Sequence, residues 1–137
     1  MREFTPGPEH TITASGAVTD MRAVGFDGAQ ISTAGAPMLG VARGGYSDGE
    51  LVRVVASGAC SAESGGSFSQ GDPLTTDANG RFVKAGDLSI DSGATAVQST
   101  AADGSTIFSG GALPETVVAY ALEDATGAGE FPRIFIR

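Results

Sequence analysis

The chain has 137 residues, which sets one domain as the expectation and allows a real core without cross-links. Its 21 glycines and 6 prolines disfavour helix and point to short strands joined by many turns. A formal net charge of −8, with Lys84 as the single lysine, disfavours nonspecific binding to nucleic acid or to an anionic membrane surface.

The opening MREFTPGPE, residues 1–9, brackets a glycine with two prolines and cannot join a central sheet. It is expected to be an extended N-terminal arm, either a frayed end or a segment that docks on a partner. A single β-rich domain is expected over residues 10–137. The first strand is read over His10 to Ala14, ending at Gly16. Arg22 to Phe26 is a strand closed by the hairpin signal Asp27-Gly28. Gln30 to Thr33, Met38 to Ala42 and Leu51 to Val55 follow as strands. Residues 57–71 are rich in glycine and serine and read as loop with one short strand.

Asp72 to Thr76 and Arg81 to Val83 are strands joined by an Asn79-Gly80 hairpin. Ala94 to Val97 and Thr106 to Phe108 are further strands. Pro114-Glu115-Thr116 could open a helix, and Val117 to Leu122 could continue it or form a buried strand, with strand preferred. Arg133 to Arg137 closes the chain as a strand. About ten short strands at this spacing predict an all-β barrel or sandwich and not βαβ units.

The chemical inventory is thin. "GYSDG", residues 45–49, has the spelling of a nucleophile elbow, which needs a strand before the serine and a helix after it. Strand material follows Ser47, and His10 is the one histidine that could serve as its base, so Ser47 reads as a turn residue. Cys60 is alone, which excludes an internal disulfide, and it reads as a small buried hydrophobe. Asp77-Ala78-Asn79-Gly80 resembles the start of a calcium loop, but Leu88 stands where the bidentate glutamate belongs. Asp87 and Asp91 could contact a cation, yet acidic loop residues are usually solvated. No cofactor fingerprint is present, no run of about 18 apolar residues could span a membrane, and the N-terminus lacks a signal-peptide apolar run. The phenylalanines read as mostly core, and there is no tryptophan to build a sugar-binding platform.

One pattern is sharper. Residues 40–55, GVARGGYSDGELVRVV, are echoed by residues 119–136, AYALEDATGAGEFPRIFI. Ala42 answers Ala121, Gly49-Glu50 answers Gly129-Glu130, and Arg53-Val54 answers Arg133-Ile134, with one extra residue before Gly129. Each segment reads as strand, glycine-bearing turn, strand.

The order of an L-G-V-A strand, a G-E turn, a V-R-V-V strand ending at Ser57-Gly58, a G-D-P-L strand with an N-G turn, and the final V-V-A-Y-A-L-E-D-A…G-E…I-F-I run resembles the small capsid decoration, or cement, proteins of tailed bacteriophages. The resemblance covers residues 10–137. It implies a compact β-barrel-like domain of the β-tulip type that assembles as a homotrimer. It implies binding to the outer face of an icosahedral shell across major capsid protein subunits, with no catalytic site, no cofactor, and no nucleic-acid, membrane or small-molecule partner. It implies a place on the virion surface after assembly in the bacterial host cytoplasm. Carried onto this chain, the capsid-contacting arm would be Met1 to His10, with Arg2, Phe4, Thr5, Pro6 and His10 as contacts. The alternatives are a tail-fibre or carbohydrate-binding β module, and a small serine hydrolase using Ser47.

Overall fold

The computed structural model describes residues 8–87, 89–90, 98–100, 107–109, 111–112 and 114–137. All its regular structure is β, with no helix among the described residues, and the chain forms a compact domain. A four-stranded antiparallel sheet holds β1 (Glu9–Thr13), β2 (Ala23–Val24), β3 (Gly40–Ala42) and β4 (Leu51–Val55) in the order β1-β4-β3-β2. A five-stranded antiparallel sheet holds β5 (Gly58–Ser61), β6 (Pro73–Thr76) and β7 (Phe82–Lys84) with two later strands, β12 (Ala119–Ala121) and β13 (Arg133–Ile136), in the order β5-β13-β12-β6-β7. Between them in sequence, β8 (Ser89–Ile90) pairs with β11 (Gly111–Ala112), and β9 (Gln98–Thr100) pairs with β10 (Ile107–Ser109), as two nested ladders.

The strand readings hold in type more than in extent. Gln30 to Thr33 is reduced to a single bridge from Gln30 to Val24. Residues 57–71 do contain one short strand, β5. The Asn79-Gly80 turn joins β6 to β7 as expected, with Gly80 at φ +74. At Val117 to Leu122 the strand wins over the helix, because β12 is bonded on both sides, to β13 and to β6. The expected strand at Ala94 to Val97 lies outside the described residues. Phe108 falls in β10, while Thr106 lies outside them.

The two main sheets are copies of one motif. Thr11↔Arg53 and His10↔Val54 in the first recur as Ser61↔Arg133 and Cys60↔Ile134 in the second. Val41↔Val55 recurs as Tyr120↔Phe135, and Ala23↔Val41 recurs as Pro73↔Tyr120. Loop bonds repeat as well. The Ile31 N–H donates to the Ala23 carbonyl as Ala85 does to Pro73, and Leu39 donates to Val24 as Val118 does to Leu74. Residues 32–38 of the first repeat are thus answered by 86–117 of the second, so β8 to β11 belong to an insertion in the second repeat. The echo seen in sequence is the visible end of this duplication.

Burial follows the motif. The first repeat encloses Ala14, Val18, Val24, Ala42, Val52 and Val54 within itself. The second encloses Phe68, Leu74, Phe82, Ala121 and Ile134, and Ala23, Ile31, Val41 and Val55 of the first repeat join this larger cluster. Alternation along a strand sends neighbouring side chains to opposite faces. Val52 and Val54 therefore point into the first repeat's own core, while Val55 on the opposite face is buried against the second repeat.

Candidate functional site

The structure settles the turn at Ser47. Glu50 N–H donates to the Ser47 carbonyl at 3.1 Å, and Ser47 N–H donates to the Glu50 carboxylate at 2.6 Å. Gly49 sits at φ +83, a conformation open to glycine at little steric cost. Its N–H donates to the Ala14 carbonyl at 2.9 Å, and Ala14 N–H donates back to the Glu50 carbonyl at 2.7 Å. The second turn is built the same way. Gly129 is also at φ +83, and it exchanges bonds of 2.8 Å with Ser64 through its own N–H and the Glu130 carbonyl. The Glu130 carboxylate accepts from the Thr126 N–H at 2.8 Å and from the Thr126 hydroxyl. These two bonds, the hydroxyl first, hold the Glu130 carboxyl below its ordinary value.

Ser47 is therefore a turn residue whose N–H is capped by the Glu50 carboxylate, and the turn leads into strand β4, with no helix behind it. His10, the one candidate base, has a defined register opposite Val54, towards the other end of β4 from Ser47. Cys60 is 3% exposed, and burial pushes its thiol up to about 12, the reverse of what a nucleophile needs. The Asp77 carboxylate is engaged by the Asn79 and Arg81 N–H groups at 2.8 and 2.9 Å and by the Arg81 guanidinium, so that segment is a capped turn. Asp87 is exposed, and Asp91 lies outside the described residues.

Of the expected arm contacts, Arg2, Phe4, Thr5 and Pro6 lie outside the described residues, and His10 is exposed on β1. The structure does define where the arm leaves the body. The Pro8 carbonyl accepts from Ala56 N–H at 3.1 Å. The Glu9 carboxylate bridges Arg43 at 2.6 Å and Arg53 at 3.3 Å, and the hydrogen bond from Arg43 above all lowers its carboxyl from the ordinary value. β1 is an edge strand, so its outer backbone groups face away from the sheet.

Sequence reasoning missed a second feature. Phe68 and Phe82 are core, but Phe26, Phe131 and Phe135 are 68%, 39% and 44% exposed, which corrects the reading of the phenylalanines as mostly buried. Period-two alternation carried the signal at one of them. Once Ile134 and Ile136 point inward, Phe135 must point out.

The model of the phage cement protein family matches residues 5–137. The chain belongs to that family. As a phage cement protein it is a capsid-associated structural protein of the virion. Among solved structures it is similar to the head fiber gp8.5 N base of bacteriophage phi29, with a TM-score of 0.61 and 20% identity over 95% of this chain and 93% of that one. That likeness shows the shared fold. No curated protein matches the chain. The cement-protein match begins at residue 5, so it takes in part of the expected arm as well as both repeats.

Proposed function

We propose that this cement protein is a non-enzymatic homotrimer that decorates the outer surface of an icosahedral phage head and ties neighbouring major capsid protein subunits together. The observation that carries this reading is the family match across both repeats. The arm of residues 1–9 is its contact with the shell, through Arg2, Phe4, Thr5 and Pro6, with His10 at its root on β1. It leaves the body at a point held by Glu9 between Arg43 and Arg53, beside an open sheet edge. An extended segment there can pair with an exposed strand of the shell, where backbone bonds give affinity and side chains give register. Three arms on one trimer turn weak contacts into a durable attachment. The net charge of −8 favours solubility of many free copies in the host cytoplasm before they attach.

The test is co-sedimentation with expanded capsids that lack the protein. The full chain should pellet with capsids, and its failure to do so would end the capsid-surface reading. Deleting residues 1–7 leaves the Glu9 pairings in place and should weaken binding at least about 100-fold, through loss of multivalent attachment. Undiminished binding of that variant would remove the arm from the proposal.

A further inference from the structure

The second repeat has a bare sheet face where the first has a covered one. In the first repeat, Val55, Val41 and Ala23 form a row across β4, β3 and β2 and are at most 1% exposed, packed in the cluster shared with the second repeat. The same row of the second repeat is Phe135, Tyr120 and Pro73, across β13, β12 and β6. Phe135 is 44% exposed, and Tyr120 and Pro73 are half-buried. Arg137 borders the row, with its guanidinium 5.6 Å from the Tyr120 ring centre.

The first repeat has a matching loose end. Within the chain, the β6–β7 hairpin of the second repeat docks on the first. The Gly80 carbonyl accepts from Ala23 N–H at 2.8 Å, and the carbonyl of fully buried Thr76 accepts from Gly35 N–H at 3.0 Å. The counterpart of Thr76 is Phe26. Each precedes an aspartate, Asp77 or Asp27, that accepts from the N–H two residues on. Phe26 is 68% exposed, the most exposed large apolar side chain among the described residues.

We propose that the Phe26 turn of one copy docks on the Phe135–Tyr120 face of the next, so that copies join head to tail by the kind of contact that joins the two repeats inside each chain. Desolvated aromatic side chains are the usual anchors of such contacts. Charge agrees, because Asp27 lies beside Phe26 while Arg137 flanks the receiving face, on a chain whose net charge otherwise repels a second copy. A head-to-tail contact closes into a ring when its rotation allows. Phe26, Met38 and Val117 line a shallow groove that also has Arg137 on its rim, so the two contact surfaces meet along one edge.

This inference rests on the trimer reading and names its interface. Light scattering and sedimentation velocity of the full chain, Phe26→Asp and Phe135→Asp test it, with circular dichroism melts to check that each variant folds. Both side chains are exposed, and Phe135→Ser carries the same expectation with a milder change. The full chain should be trimeric and each variant monomeric, with association weakened at least about 30-fold. An equimolar mixture of the two aspartate variants should form a dimer, since one keeps the face and the other keeps the turn. Folded variants that remain trimeric would overturn this interface and leave the trimer standing. A monomeric parent chain would overturn both. A mixture that stays monomeric would overturn the head-to-tail pairing.

Discussion

Glu50 and Glu130 do the same work at two turns: each carboxylate accepts a backbone N–H that the tight turn would otherwise leave unpaired. At Glu130 the folded carboxyl is held below 4.5, first by the Thr126 hydroxyl and then by its N–H. A depressed folded value means that the charged form is bound more tightly in the folded state than in the unfolded one. The stability it contributes is present above about pH 4.5 and is lost as pH falls through the folded value. Glu9, held by Arg43 and Arg53, adds in the same direction. The melting temperature should therefore decline in acid, and Glu130→Gln should lower it at neutral pH while flattening that decline. Melts of both proteins from about pH 7 to pH 3 check this, and parallel curves would count against the Glu130 cap. The Gly-Glu pairs were legible in sequence because glycine at a left-handed position leaves little choice of residue. The glutamate's role was not, because a carboxylate that caps a turn is spelled like one that is merely solvated.

At the scale of elements, the duplication was legible only where its strands carry alternating apolar residues. Between residues 9–27 and 59–77 the two repeats share Gly16 with Gly66 and Asp27 with Asp77, and nothing else by identity. Backbone bonds set the register there, and they place little demand on side chains. The faces also differ in what they meet. Val55 and Val41 are buried by the second repeat, whereas Phe135 and Tyr120 at the same positions face outward, so selection on the two rows diverges. The strand at Ala119–Ala121 was readable from its adjacent valines and tyrosine, but its two hydrogen-bonded neighbours come from distant parts of the chain. Gly40 marks a further local difference between the repeats. A Cβ there would lie 2.1 Å from the Val55 carbonyl oxygen, although its counterpart is Ala119. Gly40→Ala must push β3 away from β4 and should cost about 3 kcal/mol. Urea unfolding of the purified variant measures this. A loss below about 0.5 kcal/mol, the range of an ordinary surface change, would mean that the strands separate without strain.

At the scale of the molecule, the two repeats share too much to unfold apart. Val41 and Val55 belong to the first sheet but are buried in the cluster that holds Leu74, Phe82 and Ile134. Across the same junction, Arg22 pairs with Glu63 at 2.7 Å, Glu63 N–H donates to the Met21 carbonyl, and Gly80 and Thr76 accept from Ala23 and Gly35. Pulling the repeats apart would expose those valines and leave these polar groups to be resolvated, so the intermediate with one repeat folded is disfavoured. The expectation is a single cooperative transition. The sequence offers a direct probe, because the two tyrosines divide between the repeats and there is no tryptophan to mask them. Tyr46 lies in the first, where its hydroxyl donates to the Arg43 carbonyl at 2.8 Å, and Tyr120 lies in the second. Fluorescence of Tyr46→Phe and of Tyr120→Phe then follows one repeat at a time. Within each variant, the urea curve should coincide with that variant's own far-ultraviolet dichroism. Val55→Ala, introduced into either variant, should cost about 2 kcal/mol and move both probes together. Dichroism and fluorescence midpoints that separate within one variant would mean that the repeats are linked beads. A cement protein built that way would have its weakest joint inside each copy, between the proposed shell-contacting arm and the proposed docking face.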